Sequence, residues 1–164
     1  MKLLKISAFI IILGSMALPF SCRQDSKNKK IPVKDQDIGF TAEGKLQIYK
    51  KDSIQVATLD IEIADNDYER ETGLMYRNTM KPNQGMLFIF GEEEPRYFYM
   101  KNTQIALDII YINAEKEIVS IVKNTVPLDE TSLPSQAPAK YVLEVNAGLS
   151  DQWGLAAGDR ISFE

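Results

Sequence analysis

The 164-residue sequence contains no histidine and a single cysteine, Cys22. Without histidine there is no Ser-His-Asp or Cys-His nucleophile system, and a zinc centre built on Cys and His ligands is excluded. One cysteine cannot close a disulfide within the chain, so the fold has to rest on its packed core. A glycine-rich phosphate loop, a Ca²⁺ loop of EF-hand type and an internal repeat are also missing. Catalysis would have to come from carboxylates, lysine, tyrosine or hydroxyls, or from a hard metal on oxygen ligands. These absences move the expectation from enzyme toward binding module, with no cofactor, no metal site and no catalytic residue assigned.

What is present begins with a basic start, Lys2 and Lys5, and an uncharged apolar run over residues 6–18. Thirteen residues are too few to span a bilayer, which takes about 20. A basic start, a short apolar run and a small residue before a cut read as a secretory signal over residues 1–21. Cys22 follows at the place of the acylated first residue of a bacterial lipoprotein: Ser21 suits the cut, and Leu18 lies one position further out than that signal usually has it. The expected partner is therefore a bacterial membrane, reached through lipid on Cys22. The location is the cell envelope, periplasmic or surface-facing. Residues 22–37 have almost no apolar content and predict a solvated tether.

Charge is uneven. Residues 38–164 carry 12 Lys and Arg against 20 Asp and Glu, a net of −8, whereas residues 23–37 carry a net of +2. An acidic domain argues against nucleic acid as a partner, because the phosphate backbone demands a basic face.

The folded part, residues 38–164, reads as one mostly β domain: a small antiparallel barrel or sandwich with one short helix. Residues 38–41 and 46–49 suggest an opening hairpin around Glu43-Gly44. Residues 54–63 alternate in two phases; the slip between Val56 and Leu59 implies a bulge or a strand break and leaves Asp60 and Glu62 facing water. A helix is expected over 67–72, capped by Asp65 or Asn66, with Glu69 completing a capping box and Gly73 supplying the stop. Tyr68 and Thr72 fall on its inward face. Strands follow at 86–90, 96–100, 105–113 and 117–122, with "GEEEP" as a turn, then a long proline-bearing loop over 124–138. A strand at 141–146, a helical turn within 150–155 and a closing strand at 161–163 complete the reading.

Two carboxylates stand out inside apolar strands. Asp108 sits in "LDIIYI" just after the aromatic run "RYFYMKNT", and the two stretches read as a hairpin. Burying an isolated carboxylate is costly, so Asp108 must be paired or must face a cleft. The structural alternative pairs it with Lys101 or with the 102–103 turn. The functional one places Tyr97, Tyr99, Lys101, Asn102, Asp108 and Glu144 around a polar small molecule or a glycan. Glu144 falls on the face opposite Tyr141, Leu143 and Val145, where solvation alone explains it. A histidine-free hydrolase would use Asp108 with Glu144, and a protein-interaction domain would need no pocket. Arg77 is a surface charge or reaches back to the acidic helix face.

Six segments in order, "GLMYR", "GMLFIF", "YMKNT", "LDIIYI", "YVLEVNAG" and "GLAAGDR", resemble the family called domain of unknown function 192. The resemblance covers about residues 54–164. It implies a small, largely β fold, often exported, and carries no reaction with it. Where the family often has Trp and Pro, this chain has Tyr99 and Ala106. The resemblance makes Lys101, Asn102 and Asp108 the first residues to examine and gives none of them a role.

Overall fold

The structure, a computed structural model, describes residues 38–164. The signal, the Cys22 lipidation site and the tether expected from sequence lie outside the described residues.

Seven strands form one sheet among the described residues: β1 (Gly44–Tyr49), β2 (Gln55–Ala64), β3 (Gln84–Phe98), β4 (Leu107–Ile112), β5 (Ile118–Val122), β6 (Leu133–Asn146) and β7 (Arg160–Phe163). Their order across the sheet is β5-β4-β6-β3-β2-β1-β7. All neighbours are antiparallel except β2 and β3, which run parallel and are joined through α1 (Asp67–Thr72). The sheet curls until its two edges meet, with a bridge between Glu117 and Arg160 and an Ile118 N–H bond to the Asp159 carbonyl. The mostly β expectation is met.

Curling divides the apolar residues into two cores, and side-chain alternation decides which residue enters which. Leu46, Ile61, Leu87, Ile110, Leu143, Val145 and Ile161 point into the curl. Met86, Phe88, Ile109, Tyr111 and Val142 point outward, where Leu74, Met100 and the segments around them cover the sheet. Strands β3, β4 and β6 are therefore apolar on both faces along their central residues, and β4 is buried at every position. Each fully buried Leu or Ile contributes about 1.5–3 kcal/mol relative to exposure, so this double core stands in for the missing disulfides.

The helix forms where expected. Asn66 accepts the Glu69 N–H at 3.0 Å, and Glu69 reaches back to the Asp65 N–H, one residue before the cap. Gly73 ends it at φ 46°. An added Cβ there would stand 3.0 Å from the Phe88 ring, so glycine is required twice over. A bulge is present in β2, just before the expected slip between Val56 and Leu59: Ile48 pairs with Ala57 and Tyr49 with Gln55, leaving Val56 over, and pairing is regular from Ala57 onward. The second short helix, α2 (Leu149–Gln152), begins one residue before the expected turn.

Several expectations are corrected. Residues 38–41 form no strand, and β1 pairs instead with β2 and β7. "GEEEP" is not a turn: β3 runs through it, because residues 133–138 of the supposed long loop are strand and continue into β6, which pairs with it. The hairpin of "RYFYMKNT" with "LDIIYI" does not exist, since β6 lies between β3 and β4. The helix buries no residue, and Tyr68 is exposed. Glu62 does not face water. It is 6% exposed, and Arg77, at 8%, is its partner rather than a surface charge or a partner of the helix acids.

Candidate functional site

Asp108 is wholly buried and points into the curl with Val145 opposite it in the register. One oxygen accepts the Asn124 N–H at 2.8 Å. The other accepts the N–H groups of Gly148 and Ser150 and the Ser150 hydroxyl, at 3.0, 2.9 and 2.6 Å. Four donors satisfy the carboxylate without any cation, and they pin the chain leaving β5 and the start of α2 to β4. Neither Lys101 nor the 102–103 turn takes part. Asp108 is thus a structural carboxylate, held by partners other than those the sequence suggested.

Lys101 is exposed. Asn102, at φ 55°, clips a second left-handed residue, Tyr76: its carbonyl accepts the Tyr76 N–H at 2.9 Å and its side-chain amide donates to the Tyr76 hydroxyl at 2.9 Å. That clip holds the 74–77 loop against the 100–103 turn.

Glu144 is different. It lies on the outer face of β6, opposite Ile109 on β4 and Met86 on β3. The face expected to be solvated is roofed by α1, by Leu74 and by the turn around Met100, and only 5% of Glu144 is exposed. No hydrogen bond or ion pair engages its carboxyl group among the described residues. Burial, with nothing to offset it, pushes its pKa up to about 8.

The remaining opening above Glu144 is a cavity of about 310 Å³, at the lower end of small-molecule sites. Phe88, Phe98, Tyr97 and Tyr99 supply aromatic surface, Thr103 a hydroxyl, and α1 the charged rim of Asp67, Arg70 and Glu71. Tyr97 and Tyr99 are 68% and 45% exposed, an unusual outlay of aromatic surface. Phe98 stacks edge-on against Phe88, Phe90 and Tyr111, so the wall is rigid. Beneath it, burial and then the nearby Glu144 charge push the Tyr111 phenol up, and its hydroxyl donates to the Leu133 carbonyl at 2.6 Å.

The structure therefore brings together Tyr97, Tyr99 and Glu144 from the residues singled out in sequence. It places Lys101, Asn102 and Asp108 elsewhere. Asp108 and Glu144 occupy successive register positions on opposite faces of the sheet, so they form no acid/base pair. The carboxylate that does share the outer face with Glu144 is Glu62, on the far side of Met86. Arg77 Nη1 lies 2.7 Å from its Oε2, and the Thr41 N–H donates to Oε1 at 2.9 Å. The approach is off the hydrogen-bond axis, leaving Glu62 Oε2 without a donor and Arg77 Nε without an acceptor. Glu62 borders an adjoining hollow rather than the aromatic cavity.

Phe88, Phe98, Thr103 and the α1 rim were not visible as site residues in the sequence. The one available signal was alternation: Phe88 and Glu144 are both out of phase with the residues inside the curl.

The family model DUF192, described as "Uncharacterized ACR", matches residues 48–163. A UPF0127 protein of Pyrococcus furiosus is 28% identical over 110 residues, 64% of this chain and 87% of that protein. A second, from Pyrococcus abyssi, is 30% identical over 109 residues, 63% and 85% of the two chains. Among solved structures, a proposed transcription regulator of Sinorhizobium meliloti aligns with TM-score 0.72 and 36% identity over 76% of this chain and 97% of its own. A protein of unknown function from Novosphingobium aromaticivorans aligns with TM-score 0.68 and 32% identity, over 72% and 83%. With the motifs, the sheet and the family model in agreement over the same residues, the chain belongs to the DUF192 family.

Proposed function

We propose that the protein is a non-enzymatic binding or accessory domain, held at a bacterial envelope by lipid on Cys22, that takes a polar small molecule or a glycan in the cavity above Glu144. The observation that carries the reading is Glu144 itself. A carboxyl group held at 5% exposure loses most of its hydration, which costs several kcal/mol unless something satisfies it, and no group among the described residues does. A ligand that hydrogen-bonds to it would recover that cost, while the aromatic wall supplies contact area. The hydrolase alternative loses support because Asp108, its second carboxylate, lies on the other face of the sheet from Glu144, and Glu62 is paired with Arg77. The regulator role proposed for the Sinorhizobium protein does not transfer readily to a domain of net charge −8.

The test is fragment binding followed by backbone NMR, with neutral polar fragments and saccharides included. Expected is a set of shifts confined to residues 71–75, 97–103 and 144. Shifts scattered over the surface, or none at all, would remove the cavity as a site.

A further inference from the structure

We infer that the cavity recognises an organic ammonium group, bound against the Glu144 carboxylate and enclosed by the faces of its aromatic wall. This rests on the cavity being a ligand site, and it names the ligand's charge and class.

Charge supports it first. Among the described residues the only cation on the lining is Arg70, and both of its terminal nitrogens are engaged. Its Nη2 pairs with Asp67 at 2.6 Å, its Nη1 donates to the Asp65 carbonyl and, at 2.9 Å, to the Ile89 carbonyl, and its guanidinium lies over Phe90. Glu71 and Glu144 face the same opening with no cation of their own among the described residues. An anionic ligand would meet the uncompensated Glu71 carboxylate and, once Glu144 ionises, a second one, whereas a cation completes both.

The wall supports it next. Aromatic faces attract cations through their quadrupoles, most strongly where water is excluded. The protein already uses this surface so: the Arg96 guanidinium stacks 3.9 Å from the Phe90 centroid. Phe88, Phe98, Tyr97 and Tyr99 continue the surface into the cavity, and no side-chain cation among the described residues lies over them. The small volume favours a compact group, a trimethylammonium or a primary amine on a short chain.

The groups around Glu144 fix how binding should depend on pH. From α1 these are Asp67, Arg70 and Glu71; from β4, Tyr111, protonated at all relevant pH; from β2, Glu62, held by Arg77 beyond Met86. None supplies a free positive charge, so at neutral pH Glu144 is mostly protonated. A cation binds the ionised form and displaces the proton. Affinity therefore rises by about tenfold per pH unit up to about 8 and then levels off.

Calorimetric titration of the full chain with choline, with Nα-acetyl-lysine methylamide and with 3,3-dimethylbutan-1-ol tests this. The last is choline's neutral carbon analogue, so it separates charge from shape. At least one ammonium probe should bind, tighter at pH 8 than at pH 6, with release of close to one proton at pH 7. The preferred ammonium shows whether the group comes free or on a polypeptide. Glu144→Gln should lose binding tenfold or more together with its pH dependence, and Glu71→Gln, exposed and harmless to the fold, should lose a smaller part. Equal binding of the neutral alcohol, a pH-independent affinity, or no binding of either ammonium at tens of millimolar would overturn the inference. If neutral fragments still shift residues 97–103, the cavity remains a ligand site of another class; if they do not, both readings fall.

Discussion

Ser150 donates both its backbone N–H and its hydroxyl to the same oxygen of Asp108, at 2.9 and 2.6 Å. With Gly148 and Asn124 on the same carboxylate, a single buried side chain joins the ends of β5 and β6 to the start of β4. Asp108→Ala leaves three backbone N–H groups and a hydroxyl without partners in the interior. We expect a loss of about 3–5 kcal/mol, against about 1 kcal/mol for Ser150→Ala, which removes one donor of four. Urea denaturation measures both. A loss under 1 kcal/mol for Asp108→Ala would mean that water replaces the carboxylate at little cost.

Glu62 and Arg77 should behave as a unit. Removing Arg77 leaves a buried carboxylate with one backbone donor, and breaking such a pair typically costs about 3–5 kcal/mol. Arg77→Met is expected to fall in that range, and Glu62→Gln combined with it to recover part of the loss. A double-mutant cycle reports the coupling. Additive single effects would show that the 2.7 Å approach contributes nothing specific.

What the sequence made legible follows from where local rules operate. The capped helix, the β2 bulge and the apolar run of β4 each depend on residues close in sequence, and each appears, the bulge slightly ahead of its expected place. Partners of Asp108 were out of reach because they come from residues 124, 148 and 150, brought together only by the strand order. Pairing of β6 between β3 and β4 undid the apparent hairpin, and that order is a tertiary choice with no local mark. Glu62 and Glu144 were misplaced for one reason: alternation shows that they leave the inner core, and it cannot show that a second core covers the outer face.

Asp159 offers an acid-side test. Burial works to raise its pKa. The Lys50 ammonium at 2.6 Å and the N–H groups of Ala156 and Lys51 at 2.9 Å outweigh burial and hold it below the ordinary 3.8. A depressed carboxylate contributes stability that is complete above the unfolded value and is lost as pH falls through the folded one. Asp159→Asn should therefore cost about 1–3 kcal/mol at pH 7. The gap between the two proteins should narrow as pH drops below 3.8. A gap that stays constant down to pH 3 would show that the contribution is packing and not charge.

Glu144 should act in the opposite sense. Its pKa is about 8 in the folded protein against an ordinary 4.5, so between those values the native state keeps a proton that the unfolded chain has released. Stability is then unaffected below 4.5, falls as pH rises toward 8 by up to about 1.4 kcal/mol per unit, and levels off above. Glu144→Gln removes the penalty. The variant should match the wild type near pH 4, lose less stability with rising pH, and be the more stable protein by a few kcal/mol at pH 9. Denaturation midpoints at pH 4, 6, 8 and 9 decide the matter. A wild type that outperforms Glu144→Gln at high pH would mean the carboxylate is paired in the native protein. The same measurement repeated at pH 9 in saturating choline should narrow the gap between the two proteins, because the ammonium stabilises the ionised form that burial disfavours.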